Sequence, residues 1–396
     1  MAESIRGTLP PVYGNIFNEF FDRPKVVETR ATCDTCSMCD HGQPSPVAME
    51  FFNSDTKCCT FTPVLPNYLV GAILSDESPE MAEGKRRVRE AIAKRIGVQP
   101  HCLNRPRKLT LLMQGYGAAF GRSKTLLCPY YDGANPEGSC TIWRHRESIC
   151  MTYYCKYSGG MRGYEYWTAL KVYLSHVQRV LARKASAAVD RTVVEPVFAT
   201  NELTLEDMED LPPKDSDYAA WWGKWVGREE EFYVQCHEWV RSLTPSAFAG
   251  IIDEAPDGKK VFNELVAKYD VLANRILPTS LVRNARMKEA HVGDQVVVTT
   301  YHRYDSFALD KELFEVVGMF AADQTLEQNL ERLKGEGIEL APELIEFLFA
   351  AGVLVEPKKK GPRNWGPTDQ LTGRRAALSA ILEARVIPLD ASASSK

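Results

Sequence analysis

Apolar positions change period several times along this chain, and those changes divide it. A leading segment of about 30 residues carries the aromatics Phe17, Phe20 and Phe21. A helix is expected from about Glu80 to Ile96, with Pro79 ahead of it and Gly97 behind it as helix punctuation. From Tyr164 to Ser186, residues Trp167, Leu170, Leu174, Val177 and Leu181 recur at helical spacing and predict a long helix. A second helical pattern runs from about Tyr218 to Leu243, and its Trp221, Trp222, Trp225 and Trp239 read as core. A third spans Lys259 to Leu277 and is closed by Pro278.

The period then shortens. Gln295 to Tyr301 reads QVVVTTY, a β-branched run typical of a strand. Helices are expected over Phe307–Phe320, from Thr325 through Leu333, and from Pro342 through Leu348. A short strand follows at Val353–Val355. A strand, three short helices and a strand predict a small winged-helix module. Beyond Lys358 the tail is basic, then punctuated by Gly and Pro, then rich in Ala and Ser. A helix is possible at 371–382, and the end reads as disordered.

Composition narrows the class. The chain has 396 residues, 44% hydrophobic and 25% charged, so it is long enough for a substantial core. With 48 Lys+Arg against 52 Asp+Glu the net charge is −4, which argues against nucleic-acid or polybasic membrane binding. No apolar run reaches the roughly 18 residues of a spanning helix, and the first residues show no secretory pattern. A cytoplasmic location is expected.

Eleven cysteines change the picture most. Ten fall between Cys33 and Cys155, and only Cys236 lies beyond. Dense cysteines in a reducing compartment are more often metal ligands than disulfides. Cys33, Cys36 and Cys39 form a C-x2-C-x2-C run, a spacing that lets successive thiolates turn inward on one loop. It resembles the start of a bacterial ferredoxin ligand run, except that Gln43 stands where the fourth cysteine belongs. The adjacent pair Cys58–Cys59, then Cys128, Cys140, Cys150 and Cys155, complete nine candidate ligands. Side chains of adjacent residues diverge on an extended chain, so one of Cys58 and Cys59 can reach one centre while the other reaches a second, or packs. Four ligands per centre give two centres and one spare thiol. Cys102 and Cys236 read as buried free cysteines. Both zinc and iron–sulfur clusters take thiolates, so spacing leaves the choice open; the reading leans to iron–sulfur, as 4Fe–4S, with zinc the alternative.

The run KCCTFTPVLPNYLVGAIL from Lys57, preceded by the cysteine triple, resembles the YkgJ-type family of zinc- or iron-chelating (CxxCxxCC) proteins. CPYYDGANPEGSCTIWRHRESICMTYYC from Cys128 does too, through Gly138, Cys140, Ile142, Trp143, Arg146, Cys150 and Tyr153. The likeness covers about residues 30 to 160. Eighteen residues separate Cys39 from Cys58, where short members place the double cysteine directly. That family includes flagellin lysine-N-methylase-like proteins, which implies modification of a protein side chain. The module from about 290 to 356 faintly resembles the PqqD-like peptide-recognition winged helix, through Leu309-Asp310, Leu326, Ile345 and Gly352–Val355. That resemblance implies a peptide partner.

Other candidates are fewer. Arg122, Arg144 and Arg146 could hold an anionic substrate or hydrogen-bond cluster sulfurs. His41 and His145 are weaker ligand candidates, and GYGAAFG (115–121) reads as a turn. No catalytic residue is assigned. The whole reads as mostly α with small β: a cysteine-rich, loop-dominated metal-cluster domain (1–160), a helical domain (161–285), a winged-helix-like module (286–357) and a partly disordered tail (358–396). The expected activity is that of an iron–sulfur redox or modifying enzyme acting on a peptide or protein. The alternative is a zinc-stabilised interaction protein without chemistry.

Overall fold

The computed structural model describes residues 3–29, 33, 36–40, 42, 51–134, 139–196 and 209–357. His41, the tail from 358 and the helix expected at 371–382 lie outside the described residues.

Short 3₁₀ turns at Pro11–Tyr13 and Glu19–Asp22 bury Tyr13, Phe20 and Phe21. β1 (Leu65–Pro66) leads into α1 (Asn67–Ser75), then α2 (Ala82–Ala93), β2 (Val98–Gln99), β3 (Cys102–Leu103) and α3 (Arg107–Gly115). β3 lies between β1 and β2 and is antiparallel to both. β4 (Tyr131–Asp132) and β5 (Ser139–Cys140) form a two-stranded ribbon ahead of α4 (Ser148–Thr152). Then come α5 (Gly160–Val189), α6 (Asp215–Trp222), α7 (Glu229–Arg241), α8 (Pro245–Glu254) and α9 (Gly258–Ala273). The last part runs β6 (Val282–Arg283), β7 (Lys288–Val292), β8 (Gln295–Thr299), β9 (Phe307–Asp310), α10 (Lys311–Gly318), α11 (Leu326–Gly335), α12 (Pro342–Ala350) and β10 (Leu354–Val355). Helices hold about half of the described residues, and the sheets are small. Among the described residues no helix is long and apolar enough to cross a membrane.

The centre of the first core is α1. Every residue from Asn67 to Leu74 is buried, because the helix is apolar on all faces and must be covered on all of them. Each fully buried Leu, Ile or Val contributes roughly 1.5–3 kcal/mol. α1 packs on α5 and α7. At the α1–α7 crossing a Cβ on Gly71 would sit 2.0 Å from the Tyr233 carbonyl oxygen, so only glycine permits this approach. Asn67 is the polar exception on α1. Its amide nitrogen donates to the carbonyls of Pro100 (3.0 Å) and Ala182 (2.9 Å) and lies 2.9 Å from Ser186 Oγ. Its carbonyl accepts from Tyr68 N at 2.7 Å. Replacing Asn67 with Leu leaves Tyr68 N without this acceptor and strips one buried partner each from Pro100, Ala182 and Ser186, although Ser186 Oγ still donates to the Pro100 carbonyl at 2.9 Å, and chemical denaturation is expected to show a loss of about 2 kcal/mol.

A second cluster holds the C-terminal part together, with Val296, Val298, Phe314, Val317, Leu348 and Leu354 among its buried members. β8 is central, antiparallel to β7 and β9, while β10 pairs with β6. A third, small cluster joins Cys36, Met38, Cys39 and Phe52, with Cys58, Phe120, Cys155 and Tyr304 packed on it.

Several expectations need correction. The helix expected at 218–243 is two helices. Gly223 (φ +54°) ends α6 and Gly227 (φ +79°) precedes α7, and the 3₁₀ turn between them spans Gly223–Trp225. The helix expected from Phe307 begins at Lys311, because Phe307–Asp310 pairs with β8 as a strand. The cysteine-rich part, read as loops around one helix, also contains α1, α3 and α4.

Candidate metal centre

The thiols sit on turns fixed by backbone bonding. Cys39 N donates to the Cys36 carbonyl (3.0 Å), and Phe52 N donates to the Met38 carbonyl (2.7 Å). That closes the C-x2-C turn and ties it to the segment entering the double cysteine. The next turn is organised by Asn53, whose carbonyl accepts from Thr56 N (3.1 Å) and Lys57 N (2.8 Å). Gly121 locks the turn from outside. Its carbonyl accepts from Asn53 N (2.8 Å) and Thr56 Oγ1 (3.0 Å), and its N–H donates to Thr60 Oγ1 (2.7 Å). Lys57 takes a left-handed φ of +48° and donates Nζ to the Cys33 carbonyl at 2.9 Å.

This turn corrects one expectation. The chain is not extended here, since Cys59 N donates to the Thr56 carbonyl at 3.0 Å, and the two thiols lie close enough to perturb each other. Their wider neighbourhoods still differ. Cys58 packs with Cys36, Cys39 and Cys155, whereas Cys59 packs against the main core with Cys128 and Cys140.

The remaining thiols arrive from later segments. Cys128 N donates to the Cys59 carbonyl at 2.8 Å. Cys140 on β5 stands opposite Tyr131. Cys150 sits in the first turn of α4, where Glu147 caps the helix through Ile149 N (2.7 Å) and Cys150 N (3.0 Å). Cys155 Sγ lies 3.8 Å from Ser37 Oγ. All eleven cysteines are free.

The thiols are close enough to perturb one another's titration. Burial pushes Cys39 up to about 12, and Cys36 beside it, which also hydrogen-bonds it, adds to the rise. Cys33 is exposed overall, yet desolvation of its thiol raises it to about 11, with Cys58 and Cys36 contributing. Cys155 rises to about 11 through burial, with Cys36 and Cys58 near it. Cys128 rises to about 12 through burial, with Cys140 near it, and Cys150 is raised by burial, Glu147, Cys128 and Cys140. Cys140 is raised by burial and also feels Cys33 and Cys58. The nine predicted thiols therefore form one continuous neighbourhood drawn from five stretches of chain. Cys102, bonded to Gln99 Oε1 at 3.6 Å, and the fully buried Cys236 lie elsewhere.

The donor set has a clear chemical requirement. Thiols this buried and crowded stay protonated by themselves, and become thiolates together only around a cationic centre. Fixed cations near them oppose that rise: Arg146 at Cys33, Cys58 and Cys140, Lys57 at Cys33 and Cys39, and Arg87 at Cys128. Among the described residues no group of three or more His, Cys, Asp or Glu is arranged around a single ion position. One tetrahedral zinc needs sulfurs about 3.8 Å apart, whereas a polynuclear cluster accepts a wider spread.

The other candidates are otherwise engaged. Arg144 pairs with Asp76 (3.3 Å), and His145 Nε2 lies 2.8 Å from the same carboxylate. Burial lowers the His145 pKa, which favours its neutral form. Arg122 donates Nε to the Phe51 carbonyl at 3.2 Å. Sequence reasoning missed the loop after β8. His302 bonds the Cys155 backbone, and Tyr304 packs on the third cluster, 5.2 Å ring to ring from Phe52. The aromatic run YHRYDSF was the only available signal.

No family model matches the chain, and no curated protein or solved structure is significantly similar to it.

Proposed function

We propose that the chain is an iron–sulfur protein of a reducing compartment, and that it serves redox or modifying chemistry on a peptide or protein side chain. The observation that carries this reading is the single neighbourhood formed by Cys33, Cys36, Cys39, Cys58, Cys59, Cys128, Cys140, Cys150 and Cys155. Nine thiols exceed what one structural ion needs, and they suit two four-thiolate centres with one to spare. When bound, such clusters supply one-electron chemistry. The chain's part is to hold the thiolates, exclude water with Phe52, Phe120 and Tyr304, and place the Arg146 charge near the sulfurs. The YkgJ-type likeness of residues 30–160 supports the same reading. The strand and helix order from β6 to β10 supports a winged-helix-like module for peptide recruitment.

Zinc is the second reading, favoured by the small apolar content of the third cluster, which a structural ion would compensate. Anaerobic purification separates the two. The expected product is brown, absorbs near roughly 400 nm and contains iron with acid-labile sulfide. Colourless protein with stoichiometric zinc overturns the iron–sulfur reading.

A further inference from the structure

Cys140 lines one wall of a cleft of about 970 Å³, at the upper end of the range for ligand sites. Its apolar lining comes from Leu9, Val26, Met81, Met151, Trp167 and Leu170. Two features of the walls go beyond apolar shape.

The first is a piece of unpaired main chain. Lys25 N donates to the Glu3 carbonyl at 2.8 Å, and Thr29 N donates to Ser158 Oγ at 3.0 Å. Between them Val26 and Val27 run without regular structure along the cleft, and among the described residues their N–H and C=O groups make no hydrogen bond. Val27 is 56% exposed. Such a segment is an open edge, and main-chain groups seek partners.

The second is Arg146. Its Nε donates to the Trp143 carbonyl (3.2 Å) and its Nη1 to the Cys150 carbonyl (3.1 Å), and its guanidinium lies 3.3 Å from the Trp143 ring centroid. The side chain is thus held in place, while no carboxylate among the described residues pairs with it. Other cleft charges are engaged: Lys25 with Glu3, Glu83 with Arg86 and Arg87, Arg144 with Asp76, and Glu28 accepts from Ser158 N and Trp167 Nε1 at 2.6 Å each. Glu80 and Asp132 stand on the α2 and β4 sides, and Asp132 Oδ1 accepts from Ala134 N at 3.1 Å.

We propose that this cleft binds an extended peptide segment. The segment pairs with the Val26–Val27 main chain as an added strand and sets an acidic residue on Arg146, beside Cys140. Strand addition gives affinity through main-chain bonds, and Arg146 gives register through one charge-assisted contact. A small anion alone would engage Arg146 but leave the open edge unused. The proposal deepens the reading above, on which it rests for the chemistry that follows capture.

The test uses the full-length protein and three fluorescein-labelled nonapeptide mixtures, randomised except at a central Glu, Gln or Lys. Fluorescence anisotropy is expected to show the Glu mixture binding about tenfold tighter than the Lys mixture. Val27→Pro removes the unpaired N–H and should weaken the Glu mixture about tenfold, with metal content and melting temperature unchanged. Arg146→Gln should bring the Glu and Lys mixtures to equal affinity. Trp143→Ala, at a side chain 57% exposed, is the second variant should Val27→Pro fold poorly, and it too should weaken the Glu mixture. Absence of binding to all three mixtures, equal binding of Glu and Lys mixtures, or Val27→Pro and Trp143→Ala matching the parent overturns the proposal. Metal analysis reads the proposed function separately, so peptide capture without iron sinks that reading and not this one.

Discussion

Cys36→Ala is expected to abolish iron binding at its centre and to lower the yield of soluble protein severalfold. Cys36 is buried within the third cluster, bonded to Cys39 and close to Cys33 and Cys155. Alanine removes one thiolate and leaves the remaining sulfurs crowded without their charge balance. Iron and sulfide content measured beside Cys236→Ala provide the check. Cys236 lies far from the other thiols in its interactions, and burial alone raises its pKa. Its alanine variant should keep full metal content and lose only packing, on the order of 1–2 kcal/mol. Full loading of Cys36→Ala would remove the triple from the ligand set.

The second large effect is expected at Gly121. Its φ of +75° is left-handed, and a Cβ there would stand 2.3 Å from the Phe52 ring. The conformation costs a non-glycine residue about 1–2 kcal/mol, and the overlap adds about 1–3 kcal/mol. Both penalties fall on the residue that bonds Asn53, Thr56 and Thr60. Gly121→Ala should therefore displace the Cys58–Cys59 turn, and metal content should fall although no thiol has changed. Gly115→Ala is the control, since a Cβ there meets nothing within 4 Å. Equal metal content in the two variants would show that the Gly121 lock does not position the thiols.

Legibility in the sequence followed periodicity. α5 was readable because a surface-facing helix alternates apolar and polar turns, and its expected span of 164–186 sits inside Gly160–Val189. α1 was not readable for the opposite reason: buried on every side, it has no polar face to create a period. The break between α6 and α7 depended on two glycines that periodicity overlooks. β9 looked helical because Phe307 and Leu309 continue the apolar pattern of α10, and only pairing with β8 decides otherwise. At the candidate centre, residue type and spacing singled out the nine thiols. The partners of the cysteine turns, Gly121, His302 and Tyr304, are brought there by contacts across many tens of residues, which no local pattern records.

The placement of Tyr304 also bears on how the protein is made. A nascent chain that has emerged only as far as Cys155 already carries ten of its eleven sulfur-bearing cysteines, yet still lacks the ring that packs beside Cys155. Nearly 150 residues must be translated before that cover arrives, or about seven to thirty seconds at ordinary ribosomal speed. Under the proposed function, a cluster inserted during that interval would meet an unroofed receptacle, which completion of the β8–β9 hairpin would then cover.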